Sequence, residues 1–203
     1  MGYLAAVLLG YLIGSSNMAY YISRRKNVDI TSKGSGNLGA SNATVLLGWG
    51  AGVLVAVHDI AKGALAVILA RLLFPELEYV PVAAGVAAVL GHIYPFYLKF
   101  RGGKGLASFL GLTLALNWKL ALAVCVVLVV VTLVTDYIAL GTLSVAATMP
   151  VGLYFMTGNL IMPLVVCVAS VVMFFKHRDN IVRLRNRTEI GLRSTIKGEN
   201  RIK

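Results

Sequence analysis

The chain returns again and again to apolar runs of roughly 18–20 residues, the length of helix that crosses the hydrocarbon core of a bilayer. Such runs fill about 3–22, 51–74, 79–97, 118–135, 138–156 and 160–175. A further run at 105–117 is too short to span comfortably and reads as a short or partly re-entrant helix. Inside a bilayer a segment must satisfy its own backbone hydrogen bonds, which leaves helices and closed barrels. Long unbroken apolar runs choose the helix. The expected fold class is all-α: a polytopic integral membrane protein with seven transmembrane helices, one of them short. With 58% of its 203 residues hydrophobic and 13% charged, the chain is far from the balance of a soluble domain. A single domain over 1–203 is expected, with a basic tail from about 176.

Charge sets the orientation. Arg24-Arg25-Lys26 follows the first run, whereas a secretory signal carries its charge before the run. That puts the N-terminus outside and residue 24 in the cytoplasm. Seven crossings then leave the C-terminus inside. They place 16 of the 19 Lys and Arg on the cytoplasmic side, with Arg71 and Lys119 outside and Lys62 within a run. Loops facing one side thus account for the net charge of +11, and no nucleic-acid partner is inferred.

Two glycine-rich stretches fall on that cytoplasmic side. One is Lys99-Phe100-Arg101-Gly102-Gly103-Lys104-Gly105. Glycines adopt φ values that other residues avoid, and successive inward N–H groups form an anion-binding nest. A lysine beside such a nest is a natural phosphate partner. The other stretch, Gly34–Asn42, combines three glycines with two serines and two asparagines. It lacks the Gly-Lys-Ser/Thr of a Walker A loop and the βαβ setting of a dinucleotide fold. Each stretch reads either as a turn in a charged loop or as a phosphate cradle.

Other polar residues lie among the runs. Asp59 and Lys62 are spaced to pair on one helical face. His58 reads as a core or polar helix contact, and His92 as a helix-end packing residue. His177 and Asn180 share a face at the cytoplasmic end of the last run. Ala84, Ala87, Ala88 and Gly91 give two small-xxx-small steps, so the third run should pack closely on a neighbour. Cys125 and Cys167 read as buried small side chains, and no metal or cofactor is expected. No residue five positions after any histidine is Asp, and there is no Gly-x-Ser-x-Gly elbow. The pattern suits binding of phosphate anions without an evident protein base.

Several motifs in order carry a resemblance: Gly34-Ser35-Gly36-Asn37-x-Gly39-Ala40-x-Asn42, Asp59-x-x-Lys62-Gly63, Gly91-His92-x-x-Pro95, Phe100-x-Gly102-Gly103-Lys104-Gly105, and His177-Arg178-x-Asn180-Ile181 with Glu189. The chain resembles the bacterial membrane family of acyl-phosphate:glycerol-3-phosphate acyltransferases (the PlsY family). The resemblance implies transfer of a fatty acyl group from acyl phosphate to the 1-hydroxyl of glycerol 3-phosphate, giving lysophosphatidic acid and phosphate. In the family this is a step of phospholipid synthesis at the cytoplasmic face of the bacterial inner membrane. It implies Lys104 and His177 as catalytic groups. Either a substrate phosphate oxygen or His177 takes the hydroxyl proton. Ser35, Gly36, Asn37, Ser41, Asn42, Gly102, Gly103, Thr142 and Asn180 are implied as substrate-binding residues. Membrane lipid is the surrounding partner, and a monomer is the working expectation.

Three positions depart from the family's pattern. Ser41 stands for a common Thr, Val45 for an arginine associated with acceptor binding, and Arg187 for a glycine. Arg101, Lys33 or Arg183 are candidates to supply the charge absent at Val45, and Arg187 is expected to reshape the tail. Two rival readings stay open: a relative with another acceptor, and a phosphate or organic-anion transporter. The transporter predicts an internal repeat and helices broken at mid-membrane.

Overall fold

The computed structural model describes residues 1–197, and the described residues form helices without strands. Arg201 and Lys203 of the basic tail lie outside the described residues. The chain divides into two compact units, Met1–Leu116 and Asn117 onward.

The first unit contains α1 (Gly2–Ser15), α2 (Met18–Arg25), α3 (Ala40–Leu47), α4 (Trp49–Leu73), α5 (Val80–Ile93) and α6 (Leu106–Leu116), with a short 3₁₀ turn at Phe96–Leu98. Its middle element is α5, whose span is 72% buried inside the protein. The small residues of α5 meet glycines of α1. A Cβ on Gly10 would strike the Ala84 carbonyl, and one on Gly14 the Ala88 carbonyl. A Cβ on Gly91 would strike the Tyr11 carbonyl. The close packing expected of this run is therefore made with α1. Lipid tails are as apolar as leucine, so dispersion between closely approaching backbones holds the pair together. The pair α4 and α6 repeats the device, with Gly63 against the Ser108 carbonyl and Gly111 against the Ile60 carbonyl.

The first apolar run is not one continuous helix. It breaks at Ser16-Asn17, where the Asn17 Oδ1 accepts from the Tyr20 amide at 2.9 Å and starts α2. The polar, glycine-rich segment between the first two apolar runs contains a helix, α3. Ala43, Leu47 and the loop residues Ile30 and Leu38 join Ala19 and Val55 in one buried cluster, so burial of an apolar face stabilises this short helix.

The second unit contains α7 (Trp118–Thr135), α8 (Ile138–Thr157), α9 (Ile161–Lys176), α10 (Arg178–Arg185) and α11 (Leu192–Lys197). α8 packs on both α7 and α9. Gly141 lets α8 approach Leu128 and Thr132 of α7. The last apolar run ends in a 51° bend between α9 and α10, at His177. Beyond it the chain returns to the α7–α8 turn, where the Asp136 carbonyl accepts from the Leu192 amide at 2.7 Å and its carboxylate from the Arg193 amide at 2.9 Å. Cys125 and Cys167 are free and half-buried, not buried as expected, because α7 and α9 each turn an apolar side outward.

Among the described residues, five segments are long and apolar enough to cross a membrane, six if α9 and α10 count as one bent span. α6, with 11 residues, is the short apolar helix expected near 105–117.

Two measurements check this packing. A Gly14→Leu substitution drives a side chain into the α5 backbone, so it should cost about 1–3 kcal/mol; unfolding in detergent at the parent's temperature would contradict the packing. Arg187 adopts φ +58. The left-handed region costs an L-residue about 1–2 kcal/mol and glycine almost nothing. Arg187→Gly should raise the unfolding midpoint, and an unchanged or lower midpoint would show that the arginine side chain offsets its backbone strain.

Candidate active site

In the first unit, one stretch of interest is the Gly34–Asn42 segment. It is pegged by buried Ile30 and Leu38 and tied by two asparagines. The Asn42 Oδ1 accepts from the Ser35 amide at 3.1 Å, and its Nδ2 donates to the carbonyls of Ile30 and Lys33 at 3.3 Å each. Asn17 Nδ2 donates to the Leu38 carbonyl at 3.3 Å. Gly34 and Gly36 take φ +60 and +64, which lets the chain reverse twice within three residues. Ahead of them, hydrogen bonds from the Thr31 and Ser32 hydroxyls and amides hold the Asp29 carboxyl below its ordinary range.

These bonds revise the expected roles. Asn42 is buried, and its amide shapes the turn in place of reaching a ligand. The Ser35 and Gly36 amides are also used internally, the latter on the Lys33 carbonyl at 3.0 Å. What the segment presents outward is the Ser35 side chain, the half-buried Asn37 and the start of α3. Gly39 precedes α3 without a side-chain cap. The first amides of a helix have no acceptor within it, and the helix dipole is positive there. Ser41 is exposed in this first turn, and Val45 one turn further on is 49% exposed. Lys26 Nζ donates to the Leu47 carbonyl at 3.0 Å, closing the other end of α3.

The Lys99–Gly105 turn differs from expectation in an informative way. Gly102 and Gly103 do not adopt positive φ; Lys99 and Phe100 do, at +52 and +58. Nor do the two glycine amides point at a ligand. Gly102 donates to the Ile93 carbonyl at 3.0 Å and Gly103 to the His92 carbonyl at 3.1 Å. These are the last carbonyls of α5, which no helical amide can satisfy. The glycines are needed for close approach: a Cβ on Gly102 would strike the His92 carbonyl, and one on Gly103 the His92 ring at Nε2. Gly102 and Gly103 thus position the turn, and are not anion donors. Lys104, half-buried, follows them directly and precedes α6, which begins at Leu106. A cation and a helix N-terminus adjoin at this point.

In the second unit, His177 is buried at the bend and its Nδ1 lies 2.8 Å from the Met173 carbonyl. A carbonyl only accepts, so Nδ1 carries the proton and the basic nitrogen of the neutral ring is Nε2. Asn180 is one turn on. Its Nδ2 donates to Glu189 Oε1 at 2.7 Å, while Arg183 Nε donates to Glu189 Oε2 at 2.7 Å. One carboxylate therefore fixes both residues from outside their helix. Arg183, a candidate for the charge absent at Val45, is committed to this ion pair. Thr142 is buried and its hydroxyl donates to the Ile138 carbonyl at 2.9 Å. Its hydroxyl proton is engaged within the helix, and the same hydroxyl would have to rotate to donate elsewhere.

A cleft of about 410 Å³ lies beside α2, lined by Tyr20, Arg24, Asn27 and Asp29 among others. None of the expected substrate residues lines it. Among the described residues, no three His, Cys, Asp or Glu side chains gather in metal-binding geometry. Asn17 was not legible as a site-shaping residue, although an Asn just before an amphipathic turn is an N-cap signal.

Comparison with known proteins gives a consistent result. The protein-family profile described as Glycerol-3-phosphate acyltransferase matches residues 4–187. A glycerol-3-phosphate acyltransferase of Myxococcus xanthus is 44% identical, with 91% of this chain and 97% of the relative covered. One of Shouchella clausii is 38% identical, covering 92% and 94%. Two crystal structures of PlsY, an integral membrane glycerol 3-phosphate acyltransferase, superpose closely. Its glycerol 3-phosphate form has a TM-score of 0.87 at 33% identity, covering 94% of this chain and 96% of that one. Its lysophosphatidic acid form has a TM-score of 0.86 at 32% identity, covering 94% and 95%. With the fold, the length and the ordered motifs in agreement, this chain belongs to the glycerol-3-phosphate acyltransferase family of integral membrane proteins.

Proposed function

We propose that the chain moves a fatty acyl group from acyl phosphate to the 1-hydroxyl of glycerol 3-phosphate, at the cytoplasmic face of a bacterial inner membrane. The products are lysophosphatidic acid and inorganic phosphate. The observation that carries this reading is Lys104, standing between two glycines locked onto α5 and the N-terminus of α6. A cation and a helix start suit a phosphate group at that position. The glycerol 3-phosphate and lysophosphatidic acid forms of the related crystal structures support the acceptor and the product. Charge favours seven crossings with the N-terminus outside, counting α6 as a short span and α9 with α10 as one bent span, because 16 of the 19 Lys and Arg then face the cytoplasm.

The chemistry asks little of the protein. Acyl phosphate is a mixed anhydride with a good leaving group. The acceptor hydroxyl oxygen bonds to the acyl carbon, the carbon–oxygen bond to phosphate breaks, and the hydroxyl proton moves to a phosphate oxygen of the donor. Lys104 and the first amides of α6 stabilise the negative charge of the phosphate as it leaves. Ser35, Asn37, Ser41 and the start of α3 offer a second set of donors for a phosphate group. His177 and Asn180 are assigned to the acceptor. With Nδ1 protonated, His177 accepts through Nε2, and it aligns the hydroxyl without having to remove its proton.

Purified protein with acyl phosphate should release phosphate in proportion to added glycerol 3-phosphate. Release that ignores the acceptor would defeat the reading, and release with a different polyol phosphate would assign another acceptor, which the exposed Val45 makes the relevant comparison. Lys104→Ala should remove at least about 99% of the activity, in line with loss of one transition-state donor. His177→Ala should retain measurable turnover at saturating acceptor; complete loss with acceptor binding intact would make His177 the base. Glu189→Ala removes the carboxylate that orients the Asn180 amide and should raise KM for glycerol 3-phosphate about tenfold while KM for acyl phosphate stays within about twofold. Equal changes in both constants would remove the clamp role.

A further inference from the structure

A cluster of ionisable side chains lies inside the first unit, away from any assigned role. Asp59, Lys62 and His92 are 1%, 4% and 3% exposed, in helices that otherwise bury only apolar and small residues against one another. Ionisable groups at such depth are expensive and persist where they do a job.

The Lys62 ammonium has three protons and three partners: Asp59 Oδ1 at 2.8 Å, His92 Nδ1 at 2.8 Å and the Ser16 carbonyl at 2.6 Å. His92 Nδ1 also lies 3.4 Å from Asp59 Oδ1, but the 2.8 Å contact to Lys62 is much the shorter, and an ammonium cannot accept, so His92 Nδ1 is the acceptor there. The neutral ring therefore carries its proton on Nε2. That edge of the ring is the one packed against Gly103, where an added Cβ would collide with Nε2. The main chain of the same residue takes the Gly103 amide at 3.1 Å. His92 thus grips Gly103 from two sides, and Lys62 fixes the ring that does so. His58 completes the set, with Nδ1 3.4 Å from Asp59 and Nε2 3.0 Å from the Ser16 hydroxyl. Ser16 lies in the break between α1 and α2, whose carbonyl would otherwise be unsatisfied in an apolar setting.

We propose that Lys62 and His92 are positioning residues for the donor phosphate: with Asp59 they lock Gly103, and so set the place of Lys104. The inference rests on the assignment of Lys104 to acyl phosphate. Neither Lys62 nor His92 touches substrate in this account. Their effect passes through residue 103 to its neighbour.

The test uses the full chain in lipid nanodiscs, with Lys62→Met and His92→Asn as separate variants. His92→Asn keeps an acceptor for Lys62 but removes the ring edge, so it tests the grip even if Lys62→Met fails to fold. Each folded variant should lose about 10–100-fold in kcat/KM for acyl phosphate, while KM for glycerol 3-phosphate stays within about twofold. Hydrogen exchange in 99–106 should speed up about tenfold or more, with α7 to α9 unchanged. A Gly103→Ala change should be damaging alone, and His92→Asn should relieve part of that damage in the double variant. Unchanged exchange at 99–106, exchange raised equally in both units, KM rising alike for both substrates, or strictly additive effects in the double variant would each overturn the proposal. If the parent protein releases no acceptor-dependent phosphate, the proposed activity fails by itself, and the exchange and stability of the same variants still decide whether the cluster holds the turn.

Discussion

Hydrocarbon offers no hydrogen-bond partner, and this one constraint shapes the polar architecture of the chain. Wherever a helix stops, its last carbonyls need donors brought from elsewhere in the protein. At the end of α1, Tyr97 donates to the Ser15 carbonyl at 3.0 Å and Lys62 to the Ser16 carbonyl at 2.6 Å. At the end of α5, Gly102 and Gly103 supply the donors. At the end of α3, Lys26 does so. Satisfying these ends and building the candidate site are the same act, because the chain that supplies the donors is the chain that bears Lys104.

Glycine serves two distinct physical purposes here. Gly34 and Gly36 give the backbone access to positive φ, so that a short segment can double back under Asn42. Gly102 and Gly103 instead give nearness, with no room for even a methyl group against His92. Both appear in sequence as glycine-rich stretches beside polar residues. A pattern reader cannot separate them, since conformational freedom and steric clearance leave the same mark.

Much of the fold was legible because hydrophobic length is a strong signal. The apolar runs, the short helix before Leu116 and the close packing of Ala84, Ala88 and Gly91 all follow from residue size and run length. The Asp59–Lys62 pair followed from helical spacing, and the contact is made at 2.8 Å. Less was legible where structure depends on distant carbonyls. The Gly102 and Gly103 amides reach carbonyls 9 and 11 residues back, and α3 shares its buried cluster with Ala19 and Ile30, partners that no local spacing encodes. The break at Asn17 is a local cap on the Tyr20 amide, a signal masked by the apolar length of the run around it. Thr142 differs, since its hydroxyl bonds the carbonyl one turn back in its own helix. Arg187 shows a different limit: its substitution for glycine suggested a reshaped tail, yet the backbone at φ +58 keeps a conformation that glycine favours.

The Glu189 clamp bears on where the chain can be cut short. Asn180 lies nine residues before the carboxylate that orients it, and Arg183 six residues before it. The chain beyond residue 189 is tied in turn to Asp136 through the Leu192 and Arg193 amides. The polar segment after the last apolar helix is therefore part of the second unit's fold and not a trailing tail, and truncation before residue 189 would remove the carboxylate that holds the Asn180 amide.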